Sequence, residues 1–142
     1  MIDALFPSYG VLLVDDEEAW LRSLSMTLAM SGGINNVVRC SDSRQVMDIL
    51  KQQKIGLVML DLNMPHLDGR EVLKIVKNDP LLKKIPIVIL TTSEDDNDIV
   101  NTYQNGANSF FTKPMDYEKL VALMGLLKVY WLQTAKLPLE NS

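Results

Sequence analysis

Ile55-Gly56-Leu57-Val58-Met59-Leu60-Asp61-Leu62-Asn63-Met64-Pro65-His66-Leu67-Asp68-Gly69 is the stretch that decides the fold. Its apolar run suits a strand buried on both faces of a parallel sheet. Met64-Pro65 and Asp68-Gly69 then force a loop. The run ends on Asp61, so a carboxylate stands where a central strand stops, at the edge where open α/β sheets bind ligands. That position makes Asp61 a candidate phosphoryl acceptor, since carboxylates serve as nucleophiles in phosphoryl transfer.

Working outward, strands and helices alternate. Gly10 to Val14 is expected as a strand ending in Asp15-Asp16, after a lead-in over residues 1–9. A helix follows from Glu17 to about Ser31, with Leu21, Leu24 and Leu28 on one face and Gly32-Gly33 as its stop. Asn36 to Arg39 is the second strand. Asp42 with Gln45 then resembles a capping pair before Val46, Ile49 and Leu50. Leu57 to Leu60 is the third strand. Asp68 with Glu71 opens a helix that turns Val72, Ile75 and Val76 inward and ends at Asn78-Asp79-Pro80. Pro86 to Leu90 is the fourth strand, ending in Thr91-Thr92-Ser93. A helix from about Asp95 turns Ile99, Val100 and Tyr103 inward, and Gly106 closes it. Asn108 to Thr112 is the fifth strand, ending in Lys113-Pro114. Asp116 caps a last helix running to about Thr134. Five such units imply an α/β fold, a doubly wound parallel sheet of order 2-1-3-4-5 with helices on both faces. Residues 1–142 read as a single domain with a core of about 10–134.

Composition narrows the function. The chain is 47% hydrophobic and 23% charged, which is globular. A net charge of −4 argues against nucleic acid and an anionic membrane as partners. The single cysteine, Cys40, cannot form an internal disulfide, and no apolar stretch approaches ~18 residues. A cytoplasmic location is expected. His66, the only histidine, reads as an exposed loop residue and Cys40 as buried filler.

In this topology Asp15, Asp16, Asp61, Thr91 and Lys113 converge on one edge. Taken singly, Asp15 and Asp16 read as a helix cap and first-turn acid, Asp68 as an N-cap, Thr91 as a strand end and Lys113 as a solvated lysine. Their coincidence defeats those readings. Two charges ~4 Å apart repel by about 4 kcal/mol at an effective dielectric of ~20. A helix terminus offsets only ~0.3–1 kcal/mol of this. A hard divalent cation does better, and an all-oxygen site with few protein ligands is the Mg²⁺ pattern. Lys113 adds a point charge, and Thr91 can donate to a phosphoryl oxygen.

Leu-Leu-Val-Asp15-Asp16-Glu, Val-Met-Leu-Asp61-Leu-Asn-Met-Pro65-x-x-Asp68-Gly69, Ile-Leu-Thr91-Thr92-Ser93 and Phe-Phe-Thr-Lys113-Pro114 occur in this order. Together they resemble the receiver domain of bacterial two-component response regulators, from about Gly10 to Trp131. The resemblance implies that Asp61 is phosphorylated by a histidine kinase or histidine phosphotransferase. Asp16 and Asp61 would bind Mg²⁺, with the Asn63 backbone carbonyl as third ligand and Asp15 assisting through water. Thr91 would be the switch hydroxyl and Phe110 the switch aromatic. Lys113 would contact the phosphoryl group, and the Lys113–Pro114 bond would be cis. Such a protein is a phosphoacceptor rather than an enzyme on other substrates. The alternative is a phosphorylation-independent scaffold on the same fold. Thr92 is bulkier than the family's usual residue there, and Phe110 lacks the frequent tyrosine hydroxyl.

Rival classes fit worse. A flavodoxin-type binder needs a phosphate loop after strand one, where this chain has acids. A haloacid-dehalogenase-type phosphatase wants an acid at position 63, where this chain has Asn63. Trp20 suits core packing and kinase docking equally. From Leu120 to Leu132 only Gly125 and Lys128 interrupt an apolar run. With Leu120, Leu123 and Leu127 toward the sheet, Val121, Met124, Val129, Tyr130, Trp131 and Leu132 are left on other sides. A homodimer through this helix, the fourth helix and the fifth strand is expected; the alternative is a tail folded back on its own domain. The Tyr130-Trp131-Leu132 ending resembles stand-alone regulators paired with bacterial phytochrome kinases.

Overall fold

The computed structural model describes residues 9–32 and 36–138. The chain runs β1 (Gly10–Val14), α1 (Glu18–Gly32), β2 (Val37–Cys40), α2 (Val46–Gln52), β3 (Ile55–Leu60), α3 (Gly69–Asn78), β4 (Ile87–Thr91), α4 (Asp96–Gln104), β5 (Ser109–Thr112) and α5 (Tyr117–Leu127). A 3₁₀ turn, Ser43–Gln45, precedes α2, and a wider π-helical stretch, Lys128–Thr134, continues α5. The strands form one sheet of order β2-β1-β3-β4-β5, with every pair parallel. This is the expected doubly wound architecture.

Alternation along the strands builds two cores. Side chains at successive strand positions point to opposite faces. Leu12, Val14, Val58, Leu60, Ile87 and Ile89 therefore pack with Val46 and Leu50 of α2 and Val72, Leu73 and Val76 of α3. Val11, Leu13, Leu57, Met59, Val88 and Leu90 pack with Leu21, Leu24 and Leu28 of α1 and Leu120, Met124 and Leu127 of α5. Every residue of β1, β3 and β4 is buried.

Register then aligns the strand ends. Val14 pairs with Leu60, Leu60 with Ile89, and Thr91 with Thr112. The ladder continues one residue further: Asp61 N donates to Val14 O (3.0 Å), and Lys113 N donates to Thr91 O (2.7 Å). Asp15, Asp61, Thr91 and Lys113 are thereby brought to one edge.

Several local expectations are corrected. β4 starts at Ile87 because Pro86 has no N–H, although its carbonyl still accepts from Val58 N. Asn108 stays outside β5, where its side chain accepts from Ile87 N at 2.9 Å. β2 is displaced by one residue, and β3 begins two residues earlier than expected. Ile75 is exposed and Leu73 takes its place inside α3. In α4, Val100 and Tyr103 point outward while Thr102 is buried, its hydroxyl bonded to Asp98 O (2.8 Å) and Ile99 O (3.0 Å). Met124 completes the inner face of α5, and Trp131 and Leu132 fold back onto that core.

The caps are half as elaborate as expected. Asp42, Asp68, Asp95 and Asp116 each accept from the N–H two residues on. Asp42 opens the 3₁₀ turn rather than α2 itself, and Glu71 turns to Lys74. Gly106 closes α4 at φ +102°, a left-handed conformation that suits glycine. Residues 1–8, Gly33 and Leu139 lie outside the described residues.

Candidate phosphoryl site

Asp61 leaves β3 pointing into the edge and is almost fully buried. Gly69 makes its loop possible: a side chain there would collide with the carbonyl oxygen of Asp61. Gly69 N instead donates to Leu62 O at 2.8 Å, folding the loop back over the strand end. Carboxylate oxygens of Asp15, Asp16 and Asp61 all lie within 4.8 Å of one another, with only Asp16 exposed. Asp61 Oδ1 is buried without a hydrogen-bond partner. A buried orphan oxygen beside two further carboxylates, all hard donors, fits a hard divalent cation. A thiolate- or imidazole-binding metal finds no matching donor in this cluster.

Lys113 supplies the opposing charge. Its buried Nζ lies 2.6 Å from Asp15 Oδ2, 3.4 Å from Glu17 Oε1 and 3.8 Å from Asp61 Oδ2. Burial lowers its pKa, but Asp15, Asp61 and Glu17 outweigh that and hold it above the usual lysine value. Burial dominates at both buried acids and raises their pKa. At Asp61 the Lys113 charge, the Thr91 hydroxyl and the backbone groups of Asn63 and Leu62 oppose the rise. Asp15 makes the expected cap and, in addition, an ion pair. Its Oδ1 caps Glu17 N at 2.9 Å while Oδ2 pairs with Lys113.

Residues 11–124 match the family described as the response regulator receiver domain. The chain belongs to that family. Response regulator Rcp1 of Synechocystis is 34% identical over 97% of this chain and 99% of its own length. Among solved structures, the phosphorylated cyanobacterial phytochrome response regulator RcpA has a TM-score of 0.85 at 36% identity, covering 93% of this chain and 99% of that one. The Mn(2+)-bound form of Rcp1 has a TM-score of 0.83 at 34% identity, covering 92% and 99%.

The remaining expected residues of this receiver domain lie at the end of β4, on β5 and on the loops after β3 and β4. Thr91 is fully buried at the end of β4. Phe110 is half-buried on the edge strand β5, packed against the α2–α3 core. Asn63 and Thr92 are exposed on the two flanking loops. The expected cis bond at Lys113–Pro114 is absent; no cis peptide occurs among the described residues. The trans form is the intrinsically favoured isomer of X–Pro bonds. Trp20 packs on the α1–α5 core and also lies under Lys113, whose Nζ is 5.0 Å from the ring centroid. His66 is exposed with φ +67°, and Cys40 is buried, as expected.

Sequence reasoning missed Glu17 and Arg70. Glu17 carries a signal, as the acid immediately after Asp15-Asp16. Arg70 has none, because Asp98, the partner that ties it to α4, comes from a distant segment. Its guanidinium bonds Asp98 through Nε (2.9 Å) and Nη2 (2.8 Å), and Asp68 through Nη1 (3.0 Å). A hollow of about 760 Å³ opens between the α2–β3 and α3–β4 connections and contains none of these site residues. No helix among the described residues is long and apolar enough to cross a membrane.

Proposed function

We propose that this response regulator receiver is a phosphorylation switch, in which Asp61 accepts a phosphoryl group from a histidine kinase or histidine phosphotransferase in the cytoplasm. The chain acts as one receiver unit with its core at about 10–134. The carrying observation is Asp61 itself: a buried carboxylate with one orphan oxygen, flanked by Asp15 and Asp16 and facing Lys113.

An Asp61 oxygen forms the new bond to phosphorus as the bond from phosphorus to the donor imidazole breaks, leaving the electron pair on nitrogen. Asp16, Asp61 and the Asn63 carbonyl would hold Mg²⁺, with Asp15 assisting through water. Bound there, Mg²⁺ supplies charge compensation for the phosphoryl group. Lys113 stays an ammonium and pairs with a phosphoryl oxygen.

The switch follows from charge. A phosphoryl group brings roughly −1.5 to −2 charges and strong acceptor oxygens. Thr91 moves to donate to one of them. The space it leaves lets Phe110 turn inward, gaining packing alone. The surface formed by α4, β5 and α5 changes with it.

That surface supports self-association. Val121, Leu126, Val129 and Tyr130 are exposed on α5 and its continuation, with Val100 and Tyr103 on α4. A Cβ at Gly125 would meet nothing, so α5 is open between its apolar residues. Each such residue stabilises a dimer by roughly 1.5–3 kcal/mol when fully buried. A homodimer through this face is our reading, with a phytochrome-type kinase as the partner class that RcpA suggests.

Intact mass after incubation with acetyl phosphate tests the function. One phosphoryl adduct that needs Mg²⁺ and disappears in Asp61→Asn is the expected result. A wild-type chain that neither gains the adduct nor binds beryllofluoride refutes it.

A further inference from the structure

One guanidinium links the segments that follow β3 and β4. Arg70 is the second residue of α3, and Asp98 is the third residue of α4. Their bidentate pair joins the two helices that follow the loops holding Asp61 and Thr91. The pair is half-buried, with 26% and 20% of the side chains exposed. Bidentate, partly desolvated Arg–carboxylate pairs are stronger and more directional than ordinary surface ion pairs.

The contacts extend from this pair into both loops. Ser93 Oγ donates to Asp98 Oδ2 at 2.7 Å and accepts from Asp95 N at 3.2 Å. Ser93 N lies 3.5 Å from Thr91 Oγ1, and Thr112 Oγ1 donates to Ser93 O at 3.3 Å. On the other side Asn63 Oδ1 faces the same guanidinium at 3.4 Å and 3.5 Å. Asp68 holds Arg70 Nη1 through both oxygens, so the cation is fixed from below as well as across.

Two polar side chains on the loops that follow Asp61 and Thr91 are thus held by this pair. Asn63 stands two residues beyond Asp61 and Ser93 two beyond Thr91. With Arg70 in place, the side-chain Oδ1 of Asn63 is turned to the guanidinium and the Ser93 hydroxyl to Asp98. The loop carrying Thr91 is tied to α3.

We propose that Arg70, through Asp98 and Ser93, is a positioning latch that closes the mouth of the phosphoryl site and prolongs the life of the aspartyl phosphate. The inference rests on the function proposed above. In the step it slows, a water oxygen bonds to phosphorus and the bond from phosphorus to the Asp61 oxygen breaks. The electron pair returns to the carboxylate, the proton of the water passes to solvent, and inorganic phosphate leaves. Arg70 touches no reacting atom; it withholds the loop freedom that would admit water to the phosphoryl group.

The experiment uses the full chain, phosphorylated with acetyl phosphate and Mg²⁺, freed of donor, and followed by intact mass. Arg70→Ala and Asp98→Ala are each expected to lose phosphate roughly fivefold faster than wild type, a factor equal to about 1 kcal/mol at 1.4 kcal/mol per tenfold. The double variant is expected to decay at the rate of either single variant, because both remove one unit. Arg70→Lys, which keeps the charge but loses the fork, is expected between wild type and Arg70→Ala. Amide exchange over residues 92–98 is expected to quicken in the same order, in unphosphorylated protein. Decay rates of both alanine variants within twofold of wild type refute the latch, as does acceleration that multiplies in the double variant. A wild-type chain that takes no phosphoryl group refutes the underlying function, and the latch with it.

Discussion

Replacing Asp61 with Asn is expected to make the metal-free protein more stable, although it removes the residue on which the site turns. Asp61 lies within 4.8 Å of carboxylate oxygens of Asp15 and Asp16. At an effective dielectric of ~20, each such contact is worth about 3.5 kcal/mol of repulsion. Asp16 is exposed, so its share is roughly halved by solvent. Lys113, 3.8 Å away, returns about 4.4 kcal/mol of attraction on the same scale. The Coulomb terms nearly cancel, which leaves burial of the anion to decide the sign. Asp61→Asn should therefore be about 1–3 kcal/mol more stable than wild type in chelator at pH 7. For a chain of this size that is roughly 3–10 °C in the melting temperature. Urea unfolding followed by circular dichroism measures it. The pH dependence has a definite direction. Burial holds the folded-state pKa of Asp61 above its unfolded value, so the folded state binds the proton more readily. Wild-type protein regains stability as pH falls toward that raised value, and the advantage of the variant shrinks with it. Saturating Mg²⁺ should also close the gap, since a ligand at a hundred times its Kd adds about 2.7 kcal/mol to the form that binds it. A variant less stable than wild type in chelator, or an advantage unchanged by pH and Mg²⁺, would show that the acids do not strain the site.

Other perturbations probe the same architecture. Lys113→Met leaves the buried carboxylates of Asp15 and Asp61 facing each other and should cost about 3–5 kcal/mol in urea unfolding, with partial recovery on adding Asp15→Asn. Gly69→Ala forces a methyl against the Asp61 carbonyl and should cost about 1–3 kcal/mol while slowing acetyl phosphate labelling. Leu126→Glu with Tyr130→Glu should weaken the proposed dimer by about 10–100-fold in sedimentation equilibrium and leave the labelling rate unchanged; an unaltered dimer would move the interface elsewhere.

How far the sequence could be read follows from which interactions are local. The apolar runs of β1, β3 and β4 are dictated by burial on both faces, so their ends, and the charged residues at those ends, follow from the run lengths. Parallel pairing then carries Asp15, Asp61, Thr91 and Lys113 to one edge without any knowledge of side-chain contacts. Arg70 is different. Its partner Asp98 lies 28 residues away, and their meeting depends on how two helices settle on the sheet. Nothing in either local pattern marks it. α4 failed for a second reason. Thr102 satisfies its own hydroxyl on Asp98 O and Ile99 O, so a polar residue can face inward at little cost. The apolar residues Val100 and Tyr103 are thereby released to the outside, and a reading by hydropathy assigns the wrong face. α5 shows the converse: its apolar residues outnumber what the inner face holds, and Leu126, Val129 and Tyr130 remain outside. These two departures occur on α4 and α5, on either side of the edge strand β5 in the chain, whose own residues are half-buried at best. Where pattern and burial disagree, a protein is retaining apolar surface for something other than its own core. The α4–β5–α5 surface meets that description, and it is also the surface that motion of Thr91 and Phe110 would alter. Under the function proposed above, apolar exposure and coupling to the phosphoryl site would coincide on one face, as a switch that works by binding requires.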